Sequence, residues 1–286
     1  MKFLPVIALF LIGLASSSLN AQTIVWTDSF SGGSLNPLFS TQLSNSFTAT
    51  QGGGSLTFSS SSGTNFAKGY IYTNKDQDGN MVVDEASIYN FFNRPITITL
   101  SDLSFSGTPS AGNTYSFFAL LGTPVSNDTT KIAPRDNFAG AFVRLNKSDS
   151  GTYTLAVGSR IIESGGSASV TSFSLSGLPA SLALTLDGAN WTLAISGASF
   201  SSDDSAFRSG TFTNITEEDM EGSMYFSMGI VNYSTLDASS LPYSVSISNL
   251  EIAAVPEPGS VGLISLAGVA VLSLSRMAGR KKNVQL

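Results

Sequence analysis

Hydrophobic side chains recur at every second position over much of this chain. Ile96, Ile98 and Leu100 alternate with Thr97 and Thr99. Leu182, Leu184 and Leu186 alternate with Ala183 and Thr185, and Trp191, Leu193 and Ile195 keep the same step. A period of two sets one side of a strand in a core and leaves the other wet. Tyr115 to Leu121 is instead a nearly continuous apolar run, which suits a central strand. Further strands are predicted at Thr23–Phe30, Ser55–Ser59, Phe66–Thr73, Met224–Val231 and Tyr243–Ile252, while helical periodicity is nearly absent. Asp187-Gly188 lies between two alternating runs and predicts a hairpin, with Ala189 and Asn190 as extra loop positions. Phe138–Leu145 and Thr152–Val157 flank the turn residues Lys147 to Gly151 and predict another. The pattern implies an all-β chain of about a dozen strands, with two antiparallel sheets face to face as a sandwich or jelly roll. Ser201–Glu221 is the most polar stretch and predicts a long loop or an insertion, and nothing reads as a linker that splits the domain.

The two ends break this pattern. Met1 to Ala21 carries Lys2, an apolar run from Phe3 to Leu14 and a small residue at Ala21, the order of a secretory signal peptide that engages the Sec translocon. At the other end, Gly259 to Ser275 is uncharged. As a helix it would span about 25 Å of a ~30 Å hydrocarbon core. Arg276, Arg280, Lys281 and Lys282 follow it. Basic residues on one flank stay cytoplasmic, so the chain before Val255 is expected outside. The expected division is 1–21 signal peptide, 22–254 β-sandwich ectodomain and 255–286 tail, with a membrane helix at 259–275 and a basic end at 276–286.

Charge and composition then narrow the chemistry. Gln22 to Val255 holds nine Lys and Arg against nineteen Asp and Glu. That balance repels nucleic acid and anionic lipid, and is compatible with neutral polysaccharide. The chain has no Cys and no His. Disulfides, thiol nucleophiles, Cys/His zinc sites and a Ser-His-Asp triad are therefore excluded.

The tail reads Val255-Pro256-Glu257-Pro258-Gly259, then the apolar run, then the basic end. This order resembles the PEP-CTERM sorting signal of Gram-negative bacteria. The resemblance implies that an exosortase, a membrane protease or transpeptidase, cuts near Pro256-Glu257-Pro258 and releases or transfers the ectodomain. It implies a membrane-anchored precursor in the cell envelope, then a cell-surface or extracellular product. Read without the resemblance, the tail is an ordinary single-pass anchor.

Trp26-Thr27-Asp28-Ser29-Phe30-Ser31-Gly32-Gly33-Ser34-Leu35 is similar to the opening of concanavalin A-like lectin/glucanase sandwiches. Leu184–Ile195 and Tyr243–Ile252 resemble their late hairpin and closing strand. The likeness implies the fold more than any activity.

Two acidic constellations carry candidate chemistry. Asn74, Asp76, Asp78, Gly79, Asn80 and Glu85 have the spacing of a twelve-residue calcium loop, which gathers hard oxygens around a glycine-enabled bend. The flank reads as a strand, not a helix, and a solvated Asp-Gly turn is the alternative. Glu217, Asp219 and Glu221 have the E-x-D-x-E spacing that resembles family-16-like glycoside hydrolases, where one acid is nucleophile and another acid/base. Glu218 replaces the apolar residue expected between the first two, and a solvated loop is the alternative. Trp26 and Trp191 are expected in the core, and Phe91-Phe92-Asn93-Arg94-Pro95 reads as a sandwich edge. The expected protein is an exported, non-catalytic surface or matrix protein. A carbohydrate-binding module of the same fold is the alternative, and a hydrolase the third reading.

Overall fold

In the computed structural model the alternating runs become strands. The structure describes residues 23–44, 46–75, 78–79, 89–124, 138–161, 168–220 and 224–254. The signal peptide, the tail from Val255 onward, Asp76, Asn80, Glu85 and Glu221 lie outside those residues. The strands begin with β1 (Thr23–Asp28), β2 (Ser40–Leu43), β3 (Phe47–Gly52), β4 (Ser55–Ser60), β5 (Lys68–Thr73) and β6 (Ile96–Ser101). Then come β7 (Ser104–Ser106), β8 (Thr114–Pro124), β9 (Phe138–Ser148), β10 (Tyr153–Arg160), β11 (Ala168–Leu175) and β12 (Ser181–Asp187). The series ends with β13 (Asn190–Ser196), β14 (Phe207–Thr211), β15 (Tyr225–Val231), β16 (Tyr243–Ile247) and β17 (Asn249–Ala254). Two single 3-10 turns, Glu218–Met220 and Ala238–Ser240, are the helical elements among the described residues.

Seventeen strands among the described residues exceed the dozen expected. The additions are β2, β3, β7, β11 and β14, which are short or polar and carry little period-two apolar signal. β14 occupies part of the polar stretch predicted as a loop. Both predicted hairpins form: β9 pairs with β10, and β12 with β13. Asp187 pairs directly with Asn190, so the second loop has two residues rather than a longer excursion. Gly188 takes φ +56° at its first position, the left-handed conformation a glycine adopts there without steric cost.

The strands form a six-stranded sheet, β1-β17-β6-β12-β13-β14, a seven-stranded sheet, β11-β10-β9-β8-β15-β5-β2, and a four-stranded sheet, β3-β4-β16-β7. Two sheets were expected, and the third arises at a corner. Ser101 pairs with Asn249 in the six-stranded sheet, and Ser104 with Ser246 in the four-stranded one. The count of residues between the two pairs is equal on both strands, so the register is continuous across the break. Asp102, at φ +55°, turns its N–H away to the carbonyl of Ala180 at 2.7 Å, and the ladder bends there. The predicted closing strand Tyr243–Ile252 is thereby divided at Ser248 into β16 and β17.

Inward side chains of all three sheets share one buried cluster, which includes Leu56, Phe58, Ile98, Leu184, Leu193, Phe117 and Met228. This is an all-β antiparallel sandwich. Trp26 and Trp191 are both buried in that cluster, as the alternation predicts. Asp28 holds the opening segment by accepting the N–H of Phe30 at 2.7 Å, which seats the Phe30 ring in the core. The layers are also tied by polar links. Tyr115 and Tyr243 stack at 4.2 Å with planes 6° apart. The Tyr243 hydroxyl donates to Asn232, whose amide donates to the carbonyls of Ser62 and Thr64.

Candidate outer-face binding site

The seven-stranded sheet has a second, separate apolar cluster on the side facing away from the main core. It comprises Tyr70, Phe118, Leu120, Phe138, Phe142, Tyr225 and Val231, with Tyr72 and Tyr233 packed against it. Register explains how these rings fit. Phe118 on β8 and Tyr70 on β5 flank Gly229 on β15. Strands two apart lie about 10 Å from one another. The two ring centroids are nevertheless 6.1 Å apart, because both lean over a residue without a side chain. Phe142 likewise covers Gly158, where a Cβ would stand 2.5 Å from its Cζ. Glycines inside strands here serve the packing of neighbouring rings.

Toward the other end of the same face the aromatic floor gives way to polar groups. Ser116 on β8, Asn146 on β9, Thr154 on β10 and Ser174 on β11 stand side by side in register. The Ser116 hydroxyl donates to Asn146 Oδ1 at 2.8 Å, and Asn146 Nδ2 donates to Thr154 Oγ1 at 3.2 Å. This chain of bonds leaves the second Nδ2 hydrogen of Asn146 and the Thr154 hydroxyl hydrogen as unused donors. One register step along, Arg144 stands over the buried Ala156, with its guanidinium carbon 4.2 Å from the centre of the Tyr233 ring. Its Nε is buried without a hydrogen-bond partner.

None of the seven strands of this sheet contains Asp or Glu, whereas Lys68, Arg144, Lys147 and Arg160 all lie on them. In a chain of net charge −6 this is a marked segregation. Burial pushes the Tyr225 hydroxyl above the usual tyrosine range, with the neighbouring Tyr72 adding to the effect. It stays a neutral hydrogen-bonding group at physiological pH.

The acidic constellations stand elsewhere. Glu217 and Asp219 are not on a strand: residues 218–220 form a 3-10 turn, so period two aims nothing at a common face. Asp219 caps this turn, accepting the N–H and hydroxyl of Thr216 at 2.7 Å each, while Glu217 is exposed. Of the calcium-loop residues, Asn74 follows strand β5, Asp78 is exposed, and Gly79 has the positive φ of +84° that such a bend requires. Among the described residues no cluster of three Asp, Glu, His or Cys could hold a metal ion. Phe91 is fully buried in the turn before β6. No helix among the described residues is long and apolar enough to cross a membrane.

Sequence reasoning did not single out Arg144, Asn146, Thr154 or Tyr233. One signal was present: Arg144 is the lone charge in the otherwise apolar run Phe138 to Leu145. A cation placed there must be paired or must face an opening.

No protein-family model and no curated protein sequence matches the chain. Solved structures do. A LamA variant from Z. galactanivorans, in complex with laminaritriose and laminaritetraose, is 11% identical, with 81% of this chain and 98% of that chain covered at a TM-score of 0.51. The CBM2 module of the evolved Dit of Lactobacillus casei BL23 phage J-1 is 8% identical, covers 82% and 97%, and has a TM-score of 0.49. A non-specific endo-beta-1,3(4)-glucanase from family GH16 is 9% identical, covers 82% and 94%, and has a TM-score of 0.48. At 11% identity the likeness to the LamA variant establishes the fold alone, a concanavalin A-like jelly roll.

Proposed function

We propose that this chain is an exported, non-catalytic surface or matrix protein whose jelly roll binds extracellular polysaccharide on the outer face of its seven-stranded sheet. The observation that carries the reading is the bonded series Ser116, Asn146 and Thr154, which leaves donor hydrogens unused on a sheet whose strands contain no carboxylate. Sugars are recognised by such fixed donors beside aromatic surface, and Tyr233 supplies the surface here. Glycoside hydrolysis by the usual route needs a pair of carboxylates across the scissile bond. The seven strands supply none, and Asp219 is engaged in capping a turn. The jelly-roll fold shared with a LamA variant whose structure holds laminaritriose and laminaritetraose supports the alternative drawn from the sequence, and here the two readings merge.

The address rests on the ends of the chain. The signal peptide directs export. The tail, Val255 to Leu286, acts as a PEP-CTERM signal that presents Pro256, Glu257 and Pro258 to an exosortase-like enzyme. Mass spectrometry of the mature protein from its own cell tests this. A mature C-terminus near the triplet supports processing, and retention of Arg280 to Lys282 reduces the tail to a plain anchor.

For the binding face, the full chain is run through native gels containing a panel of neutral and acidic polysaccharides. Retardation by at least one glycan is expected, and it should weaken when Asn146→Ala and Thr154→Val are combined. Equal mobility in every gel would remove the reading.

A further inference from the structure

We infer that Arg144 is an anion-recognition residue, and that the glycan taken by this face carries a negative charge on its sugar ring. The inference rests on the proposal that the outer face binds polysaccharide. Three observations support it. First, Arg144 sits on a central strand, half-buried, with its Nε sealed from water and unbonded. A guanidinium held this way has lost part of its hydration without gaining a carboxylate. The Arg208–Asp203 ion pair lies on another part of the fold. Second, the guanidinium carbon of Arg144 lies over the Tyr233 ring, 4.2 Å from its centre. The cation–π contact orients the group but cannot neutralise it. Third, unused donors stand beside it: one hydrogen of Asn146 Nδ2 and the hydroxyl hydrogen of Thr154.

Arg144 and Asn146 point the same way two residues apart, about 7 Å along the strand, and Thr154 is one strand further. Donors at that spacing, with a planar cation among them, match an anionic oxygen pair and the neighbouring ring oxygens of one sugar unit. The ligand class is an acidic polysaccharide, with the charge on a carboxylate or a sulfate ester. The overall acidity of the chain would repel such a polymer elsewhere, so the carboxylate-free sheet is the surface it can approach.

The test compares the full chain with Arg144→Gln and Arg144→Lys in gels containing polygalacturonate, dextran sulfate or neutral dextran. Melting temperatures are measured in parallel. Polygalacturonate is expected to retard the wild type, and Arg144→Gln to weaken its binding roughly tenfold or more while Arg144→Lys keeps part of it. Retardation by dextran sulfate alone assigns the charge to sulfate. The wild-type retardation must also fall steeply with salt, which needs no variant to fold. Salt-independent retardation, or Arg144→Gln binding as tightly as wild type, overturns the inference while glycan binding stands. Failure to bind any glycan removes the wider reading as well.

Discussion

The sandwich has two outward faces, built on the same antiparallel geometry and furnished in opposite ways. The six-stranded sheet turns out Thr97, Thr99, Ala183, Thr185, Thr192 and Ala194, all half-buried or exposed. Thr97 and Thr185 share a hydroxyl bond of 2.8 Å across the strands, and the charges are few. The seven-stranded sheet turns out Tyr70, Phe118, Leu120 and Phe142, all buried, and reserves its polar groups for one end. On the first face the side chains are short, so substitution there changes little buried surface. On the second, rings interlock over glycines, so the face behaves as another core. A sheet that buries both sides cannot present a clean alternation. That is why β8 reads as a continuous apolar run and β12 as an alternating one.

The sharpest way to break this contrast is to truncate a ring. Phe118→Ala is expected to cost about 3–5 kcal/mol in urea unfolding, the value of a core phenylalanine. A loss below ~1 kcal/mol would show that the outer face is only a surface. Next in size is Gly229→Ala, whose new methyl would strike the Gly69 carbonyl and the Tyr70 Cβ. The backbone has to shift, so a loss of about 3 kcal/mol is expected, and wild-type stability would refute the packing argument.

The polar ties of the interior should show a smaller effect and a pH signature. Burial pushes Tyr243 far above its ordinary pKa of 10.0, with the hydroxyl of Tyr115 adding to it. The folded state therefore holds this proton more tightly than the unfolded chain does. The associated stability is complete below pH 10 and is lost as pH climbs past it, because the unfolded tyrosine ionises first. Tyr243→Phe should cost about 1–3 kcal/mol at neutral pH, since Asn232 Oδ1 loses its donor, and should flatten the alkaline decline. An unchanged alkaline slope in the variant would assign that decline to other groups. The smallest effect belongs to the six-stranded face. Thr192→Ala is expected within about 0.5 kcal/mol of wild type, and a larger loss would mean that this face is covered too.

Much of the fold was legible because burial on one side of a strand writes itself into every second residue. The hairpins at Lys147–Gly151 and Asp187–Asn190 and the central place of β8 were all readable from neighbouring residues. The strands that escaped send few large apolar side chains inward, Phe47 with Ala49 and Gln51 on β3 and Phe173 with Leu175 on β11, so their periodic mark is weak. The division of Tyr243–Ile252 escaped for another reason: the bend at Ser248 answers to Asp102, far away in sequence. The candidate site was less legible than the fold. The acidic constellations at Asn74–Glu85 and Glu217–Glu221 are runs of neighbouring residues, whereas the candidate site draws its side chains from β8, β9, β10 and the segment after β15.

The order of residues alone determined the all-β class, the exclusion of thiol and imidazole chemistry, and the arrangement of the two chain ends that frames the proposed export route. Those properties are local or compositional, and no partner in space is needed to read them. Only the tertiary structure decided which strands become neighbours, and therefore that Ser116, Asn146 and Thr154 line up beside Arg144, whose guanidinium lies over the Tyr233 ring. Register across strands is set by the summed packing of whole faces. No short stretch of chain contains that sum, so a site made by register becomes visible only once the sheet is formed.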